Sequence, residues 1–321
     1  MPRLNIYIPD DLDLALRNFP GEMNISKVCA AALRAQLAAR EDPRIASSMF
    51  FSFFDKPTAI EQVVLQRYRG LTWVVAPDIT FEGEEEADVV AEVTSQFLDR
   101  TFFEGCVLGI GGGAHVWDIV RRLERRNIGM NLWAIGFGHV DRELPHLHPN
   151  SIVTLLSILY APRSKPHLVG AEKLDHAWHL PTLFPKDQRS VRRYLIGSCS
   201  MFDADSPYAR LLGREMTDFL MEQNVMGDFL GVFIAPDGQL IEPYAPSMTV
   251  SHVPSTDLRE LAKREDTIVL LSASGRHKAK LIRAVIEAGL CNALITDLET
   301  ACSVVGLERQ KDSDDLVGHG Q

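Results

Sequence analysis

The segment Gly109-Ile110-Gly111-Gly112-Gly113-Ala114-His115 has the composition in this 321-residue chain that most directly suggests chemistry. An apolar run over residues 106–110 precedes it and a helical pattern over residues 116–126 follows, so the glycines stand at a strand-to-helix turn. Backbone N–H groups of consecutive glycines can approach an anion closely, and a helix start favours negative charge through its dipole. The string also fits Gly-x-Gly-x-x-Ala. A nicotinamide site, however, would place an acidic residue near the end of the next strand, and residues 132–135 run instead into Gly136, Phe137, Gly138 and His139. No cofactor is expected. A tight turn that binds nothing is the plain alternative for this segment.

Other polar groupings are sparser. His146-x-His148 and His176-x-x-His179 have spacings a metal could use but lack the neighbouring Cys or carboxylate ligands of a strong signature, so no metal is expected. Asp203-x-Asp205-Ser206-Pro207 reads as a turn. Cys29, Cys106, Cys199, Cys291 and Cys302 are odd in number, scattered, and free of any Cys-x-x-Cys. They read as reduced, mostly buried thiols rather than as a disulfide framework or zinc ribbon.

The elements that must position these residues alternate in type. Helical patterns cover residues 59–68, 87–97, 116–126, 151–159 and 278–288, and strand patterns cover 72–76, 106–110, 132–135, 194–196, 229–234, 267–272 and 293–296. Such alternation predicts an α/β fold with a mainly parallel sheet, whose ligands bind beyond the carboxyl ends of the strands. Residues 43–58, with Pro43, Phe50, Phe51, Phe53, Phe54 and Pro57, read as a linker, and residues 311–321 as a disordered tail. There is no apolar run of about 18 residues and no signal-peptide pattern, which predicts a cytoplasmic protein without a membrane partner. The net charge of −10 argues against broad coating of nucleic acid.

The first forty residues are organised differently. Leu4, Ile6 and Ile8 alternate with Arg3, Asn5 and Tyr7 until Pro9 ends the strand; Asp10 and Asp11 open a helix that Pro20-Gly21 stops; Ser26 caps a second helix with a small-residue face. This order resembles a ribbon-helix-helix module, in which two chains pair their strands into an antiparallel ribbon that enters the major groove. The resemblance implies that Arg3, Asn5 and Tyr7 face the bases of operator DNA, that Ser26 and Lys27 meet a phosphate, and that the protein is at least a homodimer. Residues 1–44 carry six basic and six acidic side chains, so binding would depend on a few placed contacts and on avidity. The alternative is a strand on the edge of a larger sheet.

A second resemblance spans residues 59–305. Ala59-Ile60-Glu61-Gln62 through Leu71, Val74-Val75-Ala76-Pro77, Gly109 to His115, His148-Pro149-Asn150-Ser151, Gly227-Asp228-Phe229-Leu230-Gly231 with Asp237-Gly238, Ser274-Gly275-Arg276-His277-Lys278 and Leu294-Ile295-Thr296-Asp297 occur in the order found in SorC-type sugar-binding domains. These are effector-sensing domains of bacterial transcription factors, generally tetrameric and related in fold to sugar-phosphate isomerases. The resemblance implies that Gly111, Gly112, Gly113, Ala114 and His115 hold an effector phosphate, with Arg142 nearby. It further implies that Asp228 bonds sugar hydroxyls and Lys278 binds the effector. Many members carry hydroxyl residues after the glycines, whereas this chain has Ala114 and His115, which puts phosphate recognition in question.

The expected organisation is a ribbon-helix-helix domain over residues 1–42, a linker over 43–58, a SorC-like effector domain over 59–310 and the tail. The expected function is a DNA-binding transcriptional regulator modulated by a sugar or sugar phosphate, as a homodimer or homotetramer. The competing readings are an isomerase-type enzyme using Asp228, Lys278 or Asp297, and a dimerising protein-binding adaptor.

Overall fold

The computed structural model describes residues 58–77, 86–137, 144–160, 162–168, 193–204, 209, 212, 214–241, 250–251 and 253–307. The expected ribbon-helix-helix module, nearly all of the linker and the tail lie outside the described residues, and so do Arg142, His176 and His179.

Seven strands form the central sheet in the order β1 (Trp73–Val75), β13 (Ala293–Ile295), β12 (Thr267–Ser272), β6 (Arg193–Gly197), β2 (Val107–Ile110), β3 (Asn131–Ala134) and β5 (Lys165–His167). Every neighbouring pair is parallel, as the alternating sequence pattern requires. From β2 the chain steps outward to β3 and β5; from β6 it steps the other way to β12 and β13. The β2–β6 seam is therefore the point where winding reverses, the place where sheets of this kind open a crevice.

Side chains alternate between the faces of the sheet with period two. Trp73, Leu108, Ile110, Tyr194, Ile196, Leu270 and Ile295 pack on one side with helices α2 (Glu86–Thr101), α3 (Ala114–Val120) and α4 (Pro149–Leu159). Val74, Val107, Leu195, Val269, Leu271 and Leu294 pack on the other with α1 (Ala59–Arg67), α6 (Ser255–Ala262), α7 (Ala279–Glu287) and α8 (Leu298–Val304). Burial of Val90, Ala91, Thr94, Phe97 and Leu98 marks the helical stripe that seats α2. Thr58 and Glu61 form a capping box that starts α1, and the other Glu61 oxygen accepts from Ala76 N–H at 2.8 Å, tying that helix start to the carboxyl end of β1.

A second, antiparallel sheet runs β10 (Leu240–Ile241), β9 (Val232–Ile234), β8 (Gly227–Phe229) and β7 (Cys199–Met201), with helix α5 (Arg214–Glu222) over it. β4 (Gly136–Phe137) pairs with β11 (Val250–Ser251).

Two expectations need correction. The strand expected over 229–234 is a tight hairpin: Leu230 and Gly231 have φ of 51° and 82°, and Phe229 faces Val232 across a two-residue loop. Both loop residues are left-handed, as in turns that match strand twist. The helix expected over 116–126 ends at Val120. Its last turn tightens into i→i+3 bonds from Arg122 N–H to Ile119 O and from Leu123 N–H to Val120 O, each 3.2 Å.

Candidate functional site at the carboxyl edge of the sheet

Glycine is required in the β2–α3 turn on two separate grounds. Gly113 has φ of 105°, a region L side chains avoid. A Cβ on Gly112 would stand 2.8 Å from both Leu147 O and Pro149 Cδ, so the turn is pressed against the segment leading into α4. That segment is itself fixed, since the buried His148 caps α4 by accepting from Asn150 N–H at 3.1 Å through Nδ1. Two loop amides are committed within the protein: Gly111 N–H donates to Ile196 O at 3.0 Å and Gly113 N–H to Leu147 O at 2.9 Å. The expected anion cradle therefore has fewer donors than its glycine count suggests.

His115, in the first turn of α3, points at a neighbouring strand end. Its Nε2 lies 2.8 Å from Ser272 Oγ, at the last residue of β12, and Ser272 Oγ lies 2.8 Å from Thr94 Oγ1 in α2. Burial pushes the imidazole down to about 4, and the positive charge of Lys278 adds to the fall. His115 is therefore neutral at physiological pH, and Lys278 is close enough for its field to act on it.

Lys278 closes a short 3₁₀ turn (Arg276–Lys278) ahead of α7. Asp297 shapes the approach to it. This buried carboxylate caps α8 and accepts from Thr300 N–H at 2.7 Å, Thr300 Oγ1 at 2.6 Å and Gly275 N–H at 3.1 Å. Each of its oxygens is committed to holding backbone, which is the arrangement of a fastener rather than of a proton carrier.

Asp228 sits opposite Ser200 in the β7–β8 pair and accepts from Gly231 N–H at 3.2 Å, bracing the left-handed hairpin. The Lys278 turn packs against β7. The buried Cys199 thiol at the start of β7 registers both charged groups: burial drives it up to about 12, the Lys278 ammonium opposes the rise and Asp228 reinforces it. Of the expected effector residues, His115, Asp228 and Lys278 are thus drawn to one edge of the molecule from positions spread over more than half the chain.

Leu230 completes the edge. A Cβ on Gly197, at the end of β6, would meet Leu230 Cγ and Cδ2 at 2.7 Å, and one on Gly111 would meet Cδ2 at 3.3 Å. β6 ends in Gly197 and β2 is followed directly by Gly111, and this buried leucine fills the space the two glycines leave. The other histidines take separate roles: His146 is exposed and stacks edge-on against Trp117 at 5.1 Å. Among the described residues no group of three or more His, Cys, Asp or Glu is placed to hold a metal ion, and no helix is long and apolar enough to cross a membrane.

Sequence reasoning missed Thr94, Ser272 and Leu230. Thr94 had a visible signal, a hydroxyl on the apolar stripe of α2 between Val90 and Phe97. Ser272 and Leu230 gave none, since each reads as part of an apolar strand.

Comparison with known proteins places this architecture. Residues 187–306, which include Asp228, Lys278 and Asp297, match the Sugar-bind family model, described as "Putative sugar-binding domain". No curated protein matches. The fold is similar to that of the full-length sorbitol operon regulator SorC from Klebsiella pneumoniae, with 20% identity, 78% of this chain and 80% of that one covered, and a TM-score of 0.58. It is similar also to a DeoR family transcriptional regulator from Listeria monocytogenes, with 17% identity, coverage of 77% and 99%, and a TM-score of 0.59. A "probable sor operon regulator" from Shigella flexneri gives 20% identity, coverage of 77% and 98%, and a TM-score of 0.57. The chain shares the α/β fold of these proteins, with its mainly parallel seven-stranded sheet.

Proposed function

We propose that this protein is a DNA-binding transcriptional regulator whose operator affinity is set by a sugar or sugar phosphate bound at the carboxyl edge of its parallel sheet. The observation that carries the reading is the gathering of His115, Asp228 and Lys278 at the carboxyl ends of the strands, where the Lys278 turn packs against β7 and its charge reaches both His115 and Cys199. A carboxylate accepts from sugar hydroxyls and an ammonium donates to hydroxyl or anion oxygens. The similarity to sugar-binding domains, and to proteins whose names describe operon regulators, supports the same reading.

In this reading residues 59–310 form the effector domain, with Gly111, Gly112, Gly113, Ala114, His115, Arg142, Asp228 and Lys278 around the ligand. Residues 1–42 form the ribbon-helix-helix reader, joined through the linker at 43–58 and contacting DNA through Arg3, Asn5, Tyr7, Ser26 and Lys27. The assembly is a homodimer or homotetramer working in the cytoplasm, because a lone strand needs a partner to satisfy its backbone. Effector and operator are coupled by about 1–3 kcal/mol. The protein acts by binding rather than catalysis, which the full engagement of Asp297 supports.

Calorimetry of the full chain against free and phosphorylated sugars tests the site. Lys278→Ala is expected to weaken an anionic effector by about 1.5–3 kcal/mol, the range for a charge-assisted bond, while leaving effector-free DNA binding intact. Unchanged affinity would remove Lys278 from the site.

A further inference from the structure

The hydroxyl chain that ends at His115 fixes the chemistry of the ring as well as its position. Thr94 and Ser272 are fully buried. Thr94 Oγ1 donates to Val90 O at 2.7 Å, the two hydroxyls are 2.8 Å apart, and Ser272 Oγ is 2.8 Å from His115 Nε2. Each hydroxyl owns one proton, and a carbonyl only accepts. Three contacts need three protons. All three are made only if His115 Nε2–H donates to Ser272, Ser272 O–H to Thr94, and Thr94 O–H to Val90 O. Reversing the first bond would leave two lone pairs facing each other inside the protein, an unsatisfied contact that buried sites avoid. The ring is also neutral, because burial and then Lys278 hold its pKa at about 4; Arg122 acts in the same sense, and Asp118 and Asp88 oppose it. The proton therefore sits on Nε2 and the free lone pair on Nδ1. Nδ1 has no hydrogen-bond partner among the described residues, and the side chain is partly exposed.

We propose that His115 is a specificity-determining hydroxyl acceptor: its Nδ1 accepts a hydrogen bond from an effector hydroxyl, so the effector presents a free hydroxyl, not a phosphate, to the glycine-turn side of the site. A fully ionised phosphate and Nδ1 would each offer only lone pairs, whereas a sugar or polyol hydroxyl supplies the missing proton. An anionic group of the effector belongs at Lys278 instead. This inference rests on the sugar-effector reading above and adds which end of the ligand must be unphosphorylated.

Two measurements on the full-length protein test it. The first needs no ligand. In two-bond ¹H–¹⁵N correlation spectra, with the His115 signals identified by their loss in His115→Gln, the Nε2–H tautomer is expected to persist from pH 8 to pH 5. An Nδ1–H tautomer, or an imidazolium at pH 6, would overturn the proposal. The second is calorimetry with D-glucitol and D-fructose and with their monophosphates. His115→Thr replaces the acceptor-only Nδ1 with a shorter hydroxyl that can donate as well as accept. Because the Thr hydroxyl stops short of the position Nδ1 holds, the variant is expected to weaken the free compounds by about 5-fold, equivalent to one neutral hydrogen bond, and, by adding a donor, to leave the monophosphates unchanged or tighter. Ser272→Ala, which releases the tautomer without touching the ring, is expected to weaken the free compounds in the same direction and to mix the tautomers in the spectrum. A larger loss for the monophosphates than for the free compounds in His115→Thr would refute the hydroxyl-acceptor role while leaving the sugar reading standing. Binding of neither set would overturn the sugar reading and the assigned specificity together, whatever tautomer the spectra show.

Discussion

The two edges of the parallel sheet handle polarity in different ways. At the amino edge the groups are charged and paired. The Arg193 side chain, 1% exposed, meets Asp266 Oδ2 at 2.6 Å, and Asp266 accepts from Arg264 in a two-pronged contact at 2.9 Å and from Thr267 Oγ1 at 3.0 Å. Burial alone would raise the Asp266 pKa, but the bonds from Arg264 and Thr267 and the charge of Arg193 hold it below the usual carboxylate range. Asn292 closes the same edge, accepting from Val269 N–H and donating to the Ala262 and Thr267 carbonyls, each at 2.9 Å. At the carboxyl edge the hydroxyl–imidazole relay is neutral, glycine stands at the end of β6 and just past β2, the buried Asp297 carboxylate is taken up by backbone and Thr300, and the charged Lys278 remains partly exposed. The amino edge is given wholly to holding the fold together; the carboxyl edge does so through Asp297 and still keeps the His115 Nδ1 acceptor and the Lys278 charge available to something else.

The largest effect is expected where that contrast is broken at the amino edge. Asp266→Ala would remove the carboxylate that the buried Arg193 guanidinium shares with Arg264, and breaking a buried pair in this way typically costs about 3–5 kcal/mol. Chemical denaturation should show the loss, and effector titration of the folded fraction should be unaffected. Equal losses of stability and effector affinity would mean the edges are not separable.

A smaller effect belongs to the seam. Gly197→Ala forces Leu230 and Phe229 aside and should destabilise by about 1–3 kcal/mol, as overpacking does. Adding Leu230→Ala should recover part of the loss, and a fully additive double mutant would show that Leu230 does not fill the seam.

The smallest effect is in pH dependence, where the edges have opposite signs. Asp99, in the last turns of α2 on the amino side, is raised to about 6 by burial. A carboxylate with a raised folded pKa contributes stability present below about pH 4 and lost as pH rises through 6. His115, on the carboxyl side, is lowered to about 4 from an ordinary 6.5. The unfolded chain therefore binds more protons at this residue between pH 4 and 6.5, and its contribution grows as pH rises through that window. Asp99→Asn should make the stability profile climb more steeply between pH 4 and 6, and His115→Gln should flatten it, each by about 1 kcal/mol after allowance for solvent screening. Coincident profiles for the two variants would show that neither group is perturbed as described.

The sequence by itself determined the α/β class, the parallel sheet and the strand-to-helix glycine turn, because those follow from local periodicity and from the backbone freedom of Gly111 to Gly113. Resemblance of short motifs pointed to His115, Asp228 and Lys278, and the fold brings these three to one edge. Tertiary structure alone decided three things. Leu230 became a left-handed plug rather than the middle of a strand, since the two glycines that make room for it are more than eighty residues apart. Two of the glycine amides became structural, because the carbonyls they meet come from β6 and from the segment before α4. The proton on His115 was placed by Ser272, which reaches it from β12 and is itself oriented by Thr94 of α2. Hydrogen-bond direction is a property of the whole closed set of donors and acceptors, and no local pattern in a chain encodes which distant hydroxyl will complete it.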